Sequence, residues 1–130
     1  MKRIIFPLLL SALVLTACQE SLEERCAREA KEFTEKQCPS QIAANMVIDS
    51  LVFEPASHTL KYCYTLESVL DNAEQLQQHD LRAMLLKELR NTTQMKLYKD
   101  AGYTFRYVYY SKAHPGQMLF ETTLKEKDYQ

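Results

Sequence analysis

The sequence predicts an α+β domain built in the order helix, hairpin, long helix, hairpin, with a four-stranded, mostly antiparallel sheet and its helices on one face. Three observations carry that prediction. Two stretches, 22–37 and 70–98, space their apolar residues at helical intervals. Two pairs of runs rich in Val, Ile, Phe, Tyr and Thr flank short turn segments, the signature of hairpins. The elements come in blocks, and helices layered on one side of an antiparallel sheet are the simplest way to bury their apolar faces.

The first helix begins at Ser21, with Glu24 three places on, the arrangement of a capping box. Leu22, Cys26, Ala30 and Phe33 form one narrow apolar stripe, the other positions alternate in charge, and Pro39 stops the helix. Residues 44–54 and 59–67 read as strands around Pro55-Ala56-Ser57-His58. On the second strand Leu60, Tyr62, Tyr64 and Leu66 share one face, and Lys61, Cys63 and Thr65 the other. Leu70-Asp71-Asn72 supplies caps for a helix running to about Tyr98, with a stripe through Ala73, Leu81, Met84, Leu85, Leu89, Thr92 and Met95. At 1.5 Å per residue it is about 40 Å long, and a bend or break is expected near Asn91-Thr92-Thr93. Asp100-Ala101-Gly102 turns the chain into a second hairpin, 103–112 and 117–125, around Ala113-His114-Pro115-Gly116.

Ahead of this domain, Lys2 and Arg3 precede an apolar run from Ile4 to Val14 that ends in Leu15-Thr16-Ala17-Cys18. This is the build of a secretion signal, and the run is too short to span a bilayer, which takes roughly 20 residues. The end of the run resembles the lipobox of bacterial lipoproteins. The resemblance implies cleavage before Cys18, diacylglycerol on its sulfur and acyl (palmitate) chains, which would hold the protein at a membrane. The expected organisation is a signal peptide over 1–17, a lipidated N-terminus and short linker over 18–21, and a single domain over 22–130. Gln19 stands where an inner-membrane retention signal would place aspartate, so the outer membrane is the expected site, facing the periplasm or the surface. Glu20, Glu23 and Glu24 resemble the acidic surface-export signal of Bacteroidales-type lipoproteins.

Loss of Lys2 and Arg3 leaves 14 basic against 17 acidic residues, a net charge of about −3. Without a basic tract, no nucleic-acid partner is expected. With Cys18 taken by lipid, Cys26, Cys38 and Cys63 remain. A continuous helix sets Cys26 and Cys38 about 18 Å apart, beyond the roughly 7 Å a disulfide tolerates. Cys38 with Cys63 is therefore the favoured pair, and Cys26 with Cys63 the alternative.

No catalytic residue, cofactor or metal site is predicted. His58 and His114 fall in turns and His79 on a polar helix face, at no spacing that matches a catalytic or metal motif. Glu23, Glu24, Asp71 and Glu74 lie in first helical turns, where carboxylates complement the helix dipole. Two glycines leave little material for a phosphate loop. The concentrated signal is tyrosine: Tyr62, Tyr64, Tyr107, Tyr109 and Tyr110 are either ordinary cross-strand aromatic packing, the favoured reading, or a candidate binding surface on a sheet face open to water. Asp49-Ser50-Leu51 resembles the O-glycosylation acceptor of Bacteroidales-type exported proteins, with Ser50 as the modified residue. The segments CAREAKEFTEKQCP, DSLVFEP, TLKYCYTLESVLDN and YKDAGYTFRYVYYSK resemble small uncharacterised Bacteroidales-type lipoproteins. The expectation is a non-enzymatic envelope lipoprotein that binds a protein or envelope component, as an immunity or inhibitor protein would. The alternative is an enzyme accessory or small hydrolase-like domain with a site on the open sheet face.

Overall fold

The structure, a computed structural model, describes residues 19–130; the signal segment and Cys18 lie outside the described residues. Helix α1 (Leu22–Gln37) starts in a capping box: the Ser21 hydroxyl accepts from the Glu24 amide at 3.1 Å, and the Glu24 carboxylate accepts from the Ser21 amide at 3.0 Å. Strands β1 (Ser40–Ala43) and β2 (Met46–Glu54) follow, a single 3-10 turn bridges Pro55–Ser57, and β3 (Thr59–Leu66) completes the first hairpin. Three short helices cross over: α2 (Ala73–Gln77), α3 (Leu81–Asn91) and α4 (Lys96–Asp100). Strands β4 (Thr104–Ser111) and β5 (Met118–Leu124) form the second hairpin, and α5 (Glu126–Tyr129) closes the chain.

The strands lie in sequence order in one sheet. It has five strands, not four, and it is mixed: β3 and β4 run parallel, from Thr59 beside Thr104 to Leu66 beside Ser111, while every other pair is antiparallel. Strand β1 carries no run of β-branched or aromatic residues, and all four of its residues are exposed. Tertiary pairing with Met46–Ile48 makes it a strand, not local propensity. The parallel junction follows from the crossover, which returns the chain to the starting end of β3.

The long helix expected over 70–98 is three helices. Asp80 caps α3 through the Ala83 amide at 3.0 Å, and Asn72 caps α2 through Glu74 and Gln75. These short polar side chains compete with helix continuation by bonding the next segment's free amides. The second break falls at Thr92, where the backbone is extended. Lys99 Nζ donates to the Leu89 carbonyl at 2.6 Å and the Thr92 carbonyl at 2.7 Å, which satisfies the end of α3. Gly102 then turns the chain at φ 77°, where a Cβ would sit 3.0 Å from the Glu126 carboxylate.

The helices share one face of the sheet with a single core. Phe105, Leu60, Leu66 and Leu124 are fully buried there, each contributing roughly 1.5–3 kcal/mol. Cys26 and Ala30 of α1, Leu85 and Leu89 of α3, and Tyr98 of α4 join the same cluster. Tyr129 of α5 meets Phe105 edge to face and donates its hydroxyl to the Tyr103 carbonyl at 2.7 Å. Strand β2 outruns β1, and α1 covers its bare edge: Thr34 Oγ1 donates to the Leu51 carbonyl at 2.8 Å and accepts from the Leu51 amide at 2.9 Å.

Candidate functional site

The tyrosines do not lie on the open face. Tyr62 stacks on Tyr107 at 5.0 Å and Tyr64 on Tyr109 at 4.6 Å, with the rings within about 11° of parallel. Register puts all four on the helix-covered face, and Tyr64, Tyr107 and Tyr109 are buried. Tyr110 is the exception: it pairs with Thr65 and shares the opposite face with Lys61, Cys63 and Arg106. That face is patched by the Arg106–Glu121 ion pair and by Thr65 donating to Asp49 at 2.5 Å. The expected aromatic surface is thus a floor beneath the helices. Period-2 alternation groups tyrosines on a face but does not say which face the helices cover.

Above this floor, α1 stands apart from α3 and α4, leaving a cleft of about 940 Å³. Phe33 and Ala30 form one wall, Leu85, Leu89 and Met95 the other, and Tyr62, Tyr64 and Tyr107 the bottom. Its size and apolar lining suit a ligand or a side-chain cluster from a partner. The wall residues are legible in the sequence as two separate helical stripes; their facing across the tyrosines is a tertiary fact. Tyr98 reaches across from α4 to donate a short hydrogen bond to Glu29 of α1. Glu88 also lines the cleft. Nothing in the sequence marks it, because it sits between Leu85 and Leu89 with no motif around it.

The electrostatics keep the cleft's thiol and phenols protonated. Burial, and after it the Glu29 carboxylate, pushes the Cys26 thiol up to about 12, so it holds its proton at neutral pH and is a poor nucleophile. Burial, and after it the neighbouring tyrosines and Glu88, raises the hydroxyls of Tyr64 and Tyr107 above the usual phenol value. His58 lies outside the cleft, stacked on Tyr103 at 5.0 Å with Nε2 2.8 Å from Glu23. His79 and His114 are exposed. Among the described residues no three His, Cys, Asp or Glu side chains gather as a metal site would require, and no helix is long and apolar enough to cross a membrane.

Among the described residues Cys26, Cys38 and Cys63 are not joined by a disulfide. The sheet separates the alternative pair, because Cys26 packs in the core on the helix side and Cys63 alternates to the opposite face. Cys38 caps the end of α1 and packs at the core's margin. Ser50 pairs with Cys63 beside a bulge in β2 and is half-buried.

A family model described as Domain of unknown function (DUF8479) matches residues 21–120. No curated protein matches the chain. In fold it is similar to a protein of Pseudomonas aeruginosa described as secreted, at TM-score 0.66 and 10% identity, covering 86% of this chain and 100% of that one. It is similar also to the type II secretion system pilotin AspS of Vibrio cholerae, at TM-score 0.57 and 14% identity over 82% of this chain and 90% of that one. The type 2 secretion system pilotin EpsS of Vibrio vulnificus gives a TM-score of 0.60 at 10% identity, over 83% and 91%.

Proposed function

The chain belongs to this family of domains of unknown function, and from that premise we propose that it is a non-enzymatic lipoprotein of the bacterial envelope that binds a segment of a partner protein. The observation that carries the reading is the cleft between α1 and α3–α4, open, apolar-walled and floored by stacked tyrosines. A buried thiol that holds its proton offers no nucleophile there. The fold it shares with two secretion-system pilotins supports a role in placing or holding another envelope protein. Diacylglycerol on Cys18 would keep the domain at a membrane, for which the outer membrane is our assignment, and Ser50 is the candidate glycan acceptor.

Photo-crosslinking in native cells tests this reading. A benzoylphenylalanine at Phe33, on the cleft wall, is expected to trap one recurring protein; the same group at Val52, exposed on the opposite face, is expected not to. Equal yields from both positions, or no recurring partner from Phe33, would refute the cleft as the binding site.

A further inference from the structure

The cleft floor is apolar in its ring faces but not at its tips. The stacked rings of Tyr62, Tyr64 and Tyr107 turn their faces toward one another. Among the described residues their hydroxyls have no protein hydrogen-bond partner, in contrast to Tyr98, which donates to Glu29, and Tyr129, which donates to Tyr103. Yet no buried side-chain oxygen among the described residues is left unsatisfied. The hydroxyls therefore reach the open volume above them, although Tyr64 and Tyr107 are 7% and 6% exposed. Glu88 lines the same volume from α3 and forms no ion pair among the described residues. Lys36 and Lys87 also border the cleft, and neither pairs with Glu88. Glu29 is held by Arg25 at 3.2 Å and Glu32 by Arg28 at 3.6 Å, so Glu88 is the carboxylate of the lining left without a direct partner.

An all-apolar occupant would strip water from the hydroxyl row and return nothing, at roughly tenfold in affinity for each hydroxyl left unpaired, and would leave exposed Glu88 unused at its margin. Resting on the reading of the cleft as the binding site, we propose that it selects a partner segment carrying a basic side chain: the Glu88 carboxylate and the Tyr64 and Tyr107 hydroxyls receive a guanidinium or ammonium group, while flanking apolar side chains cover Phe33, Leu85 and Leu89. Tyrosine hydroxyls that keep their protons still offer lone pairs to such donors, and a cation bonded to the Glu88 carboxylate is the stronger, charge-assisted case.

The test is selection of a random twelve-residue phage library on the purified protein, with each enriched clone retested on Phe33→Ser, Glu88→Lys and Tyr107→Phe, each variant first checked for an unchanged cooperative melt. Clones that lose binding on Phe33→Ser are cleft binders. These are expected to carry Lys or Arg between apolar residues, to weaken at least tenfold on Glu88→Lys and several-fold on Tyr107→Phe. Cleft binders without a basic residue that tolerate Glu88→Lys overturn this proposal and leave the cleft as the binding site. A library in which no clone depends on Phe33 overturns both.

Discussion

Replacing Thr34 with valine isolates one of the few polar ties between α1 and the sheet. Valine matches threonine in shape and has a similar helix propensity, so the helix itself should be indifferent to the change. What disappears is the hydroxyl, and with it both bonds to Leu51, one of 2.8 Å to the carbonyl and one of 2.9 Å from the amide. A backbone group left unpaired costs about 1–3 kcal/mol when buried; this pair lies at a half-covered edge, which argues for about 1 kcal/mol each and about 2 kcal/mol together. For a domain of this size 1 kcal/mol is worth about 4 °C, so Tm should fall by about 8 °C. Thermal unfolding followed by circular dichroism reads the shift, and Thr34→Ser, which keeps the oxygen, should recover most of it. A valine variant melting within about 1 °C of the parent would refute the reasoning, and so would a serine variant as unstable as valine, because the oxygen that makes both bonds would then restore nothing.

Asp71 is held below the usual carboxylate range by hydrogen bonding from Ser111 and from the Ala113 amide, the latter at 2.9 Å. A depressed folded-state value means that its stabilisation is full above about pH 4, the ordinary aspartate value, and is lost as pH falls through the folded one; Asp71→Asn should therefore flatten the decline of Tm below pH 4, and an unchanged slope would contradict the link. With its thiol at about 12 and 1% exposed, Cys26 should react with iodoacetamide about a thousandfold more slowly at pH 8 than an ordinary cysteine, whereas Cys38 and Cys63 should be labelled in the native protein; peptide mapping that finds Cys26 modified first would refute this. Intact-mass measurement of protein from native membranes should show acyl mass that Cys18→Ser removes, together with membrane retention, and any remaining excess should vanish in Ser50→Ala if Ser50 carries a glycan.

Local chemistry writes much of the fold plainly. Ser21, Glu24 and Pro39 bound α1 at the residues expected, and the turns at 55–58 and 113–116 separate the strands they are expected to separate. Strand β1 is silent in the sequence because Ser40-Gln41-Ile42-Ala43 has no strand character apart from its partner. The crossover breaks twice instead of once because Asp80 can serve equally as a helical surface residue or as a cap. The tyrosines stand out as a group, yet Tyr62, Tyr64, Tyr107 and Tyr109 face the helices and not water, and Tyr110 alone takes the other face. A sheet with one covered face has two candidates for covering, and the choice rests on where α1 and α3 land, which no alternation pattern encodes. Glu88 is invisible for the same reason: its meaning comes from Tyr64 and Tyr107 across the cleft.

The parallel pairing of β3 with β4 gives the cleft a mechanical meaning. Tyr62 and Tyr64 belong to the first hairpin, Tyr107 and Tyr109 to the second, and the seam between them is the one strand junction closed by the helical crossover instead of a tight turn. Such a long-range junction is entropically the slowest to form, and in native-state amide exchange it is a natural line for sub-global opening. An occupant resting on both halves of the floor acts as a staple across that line. Binding should therefore slow exchange at the β3–β4 amides more than at the hairpin amides.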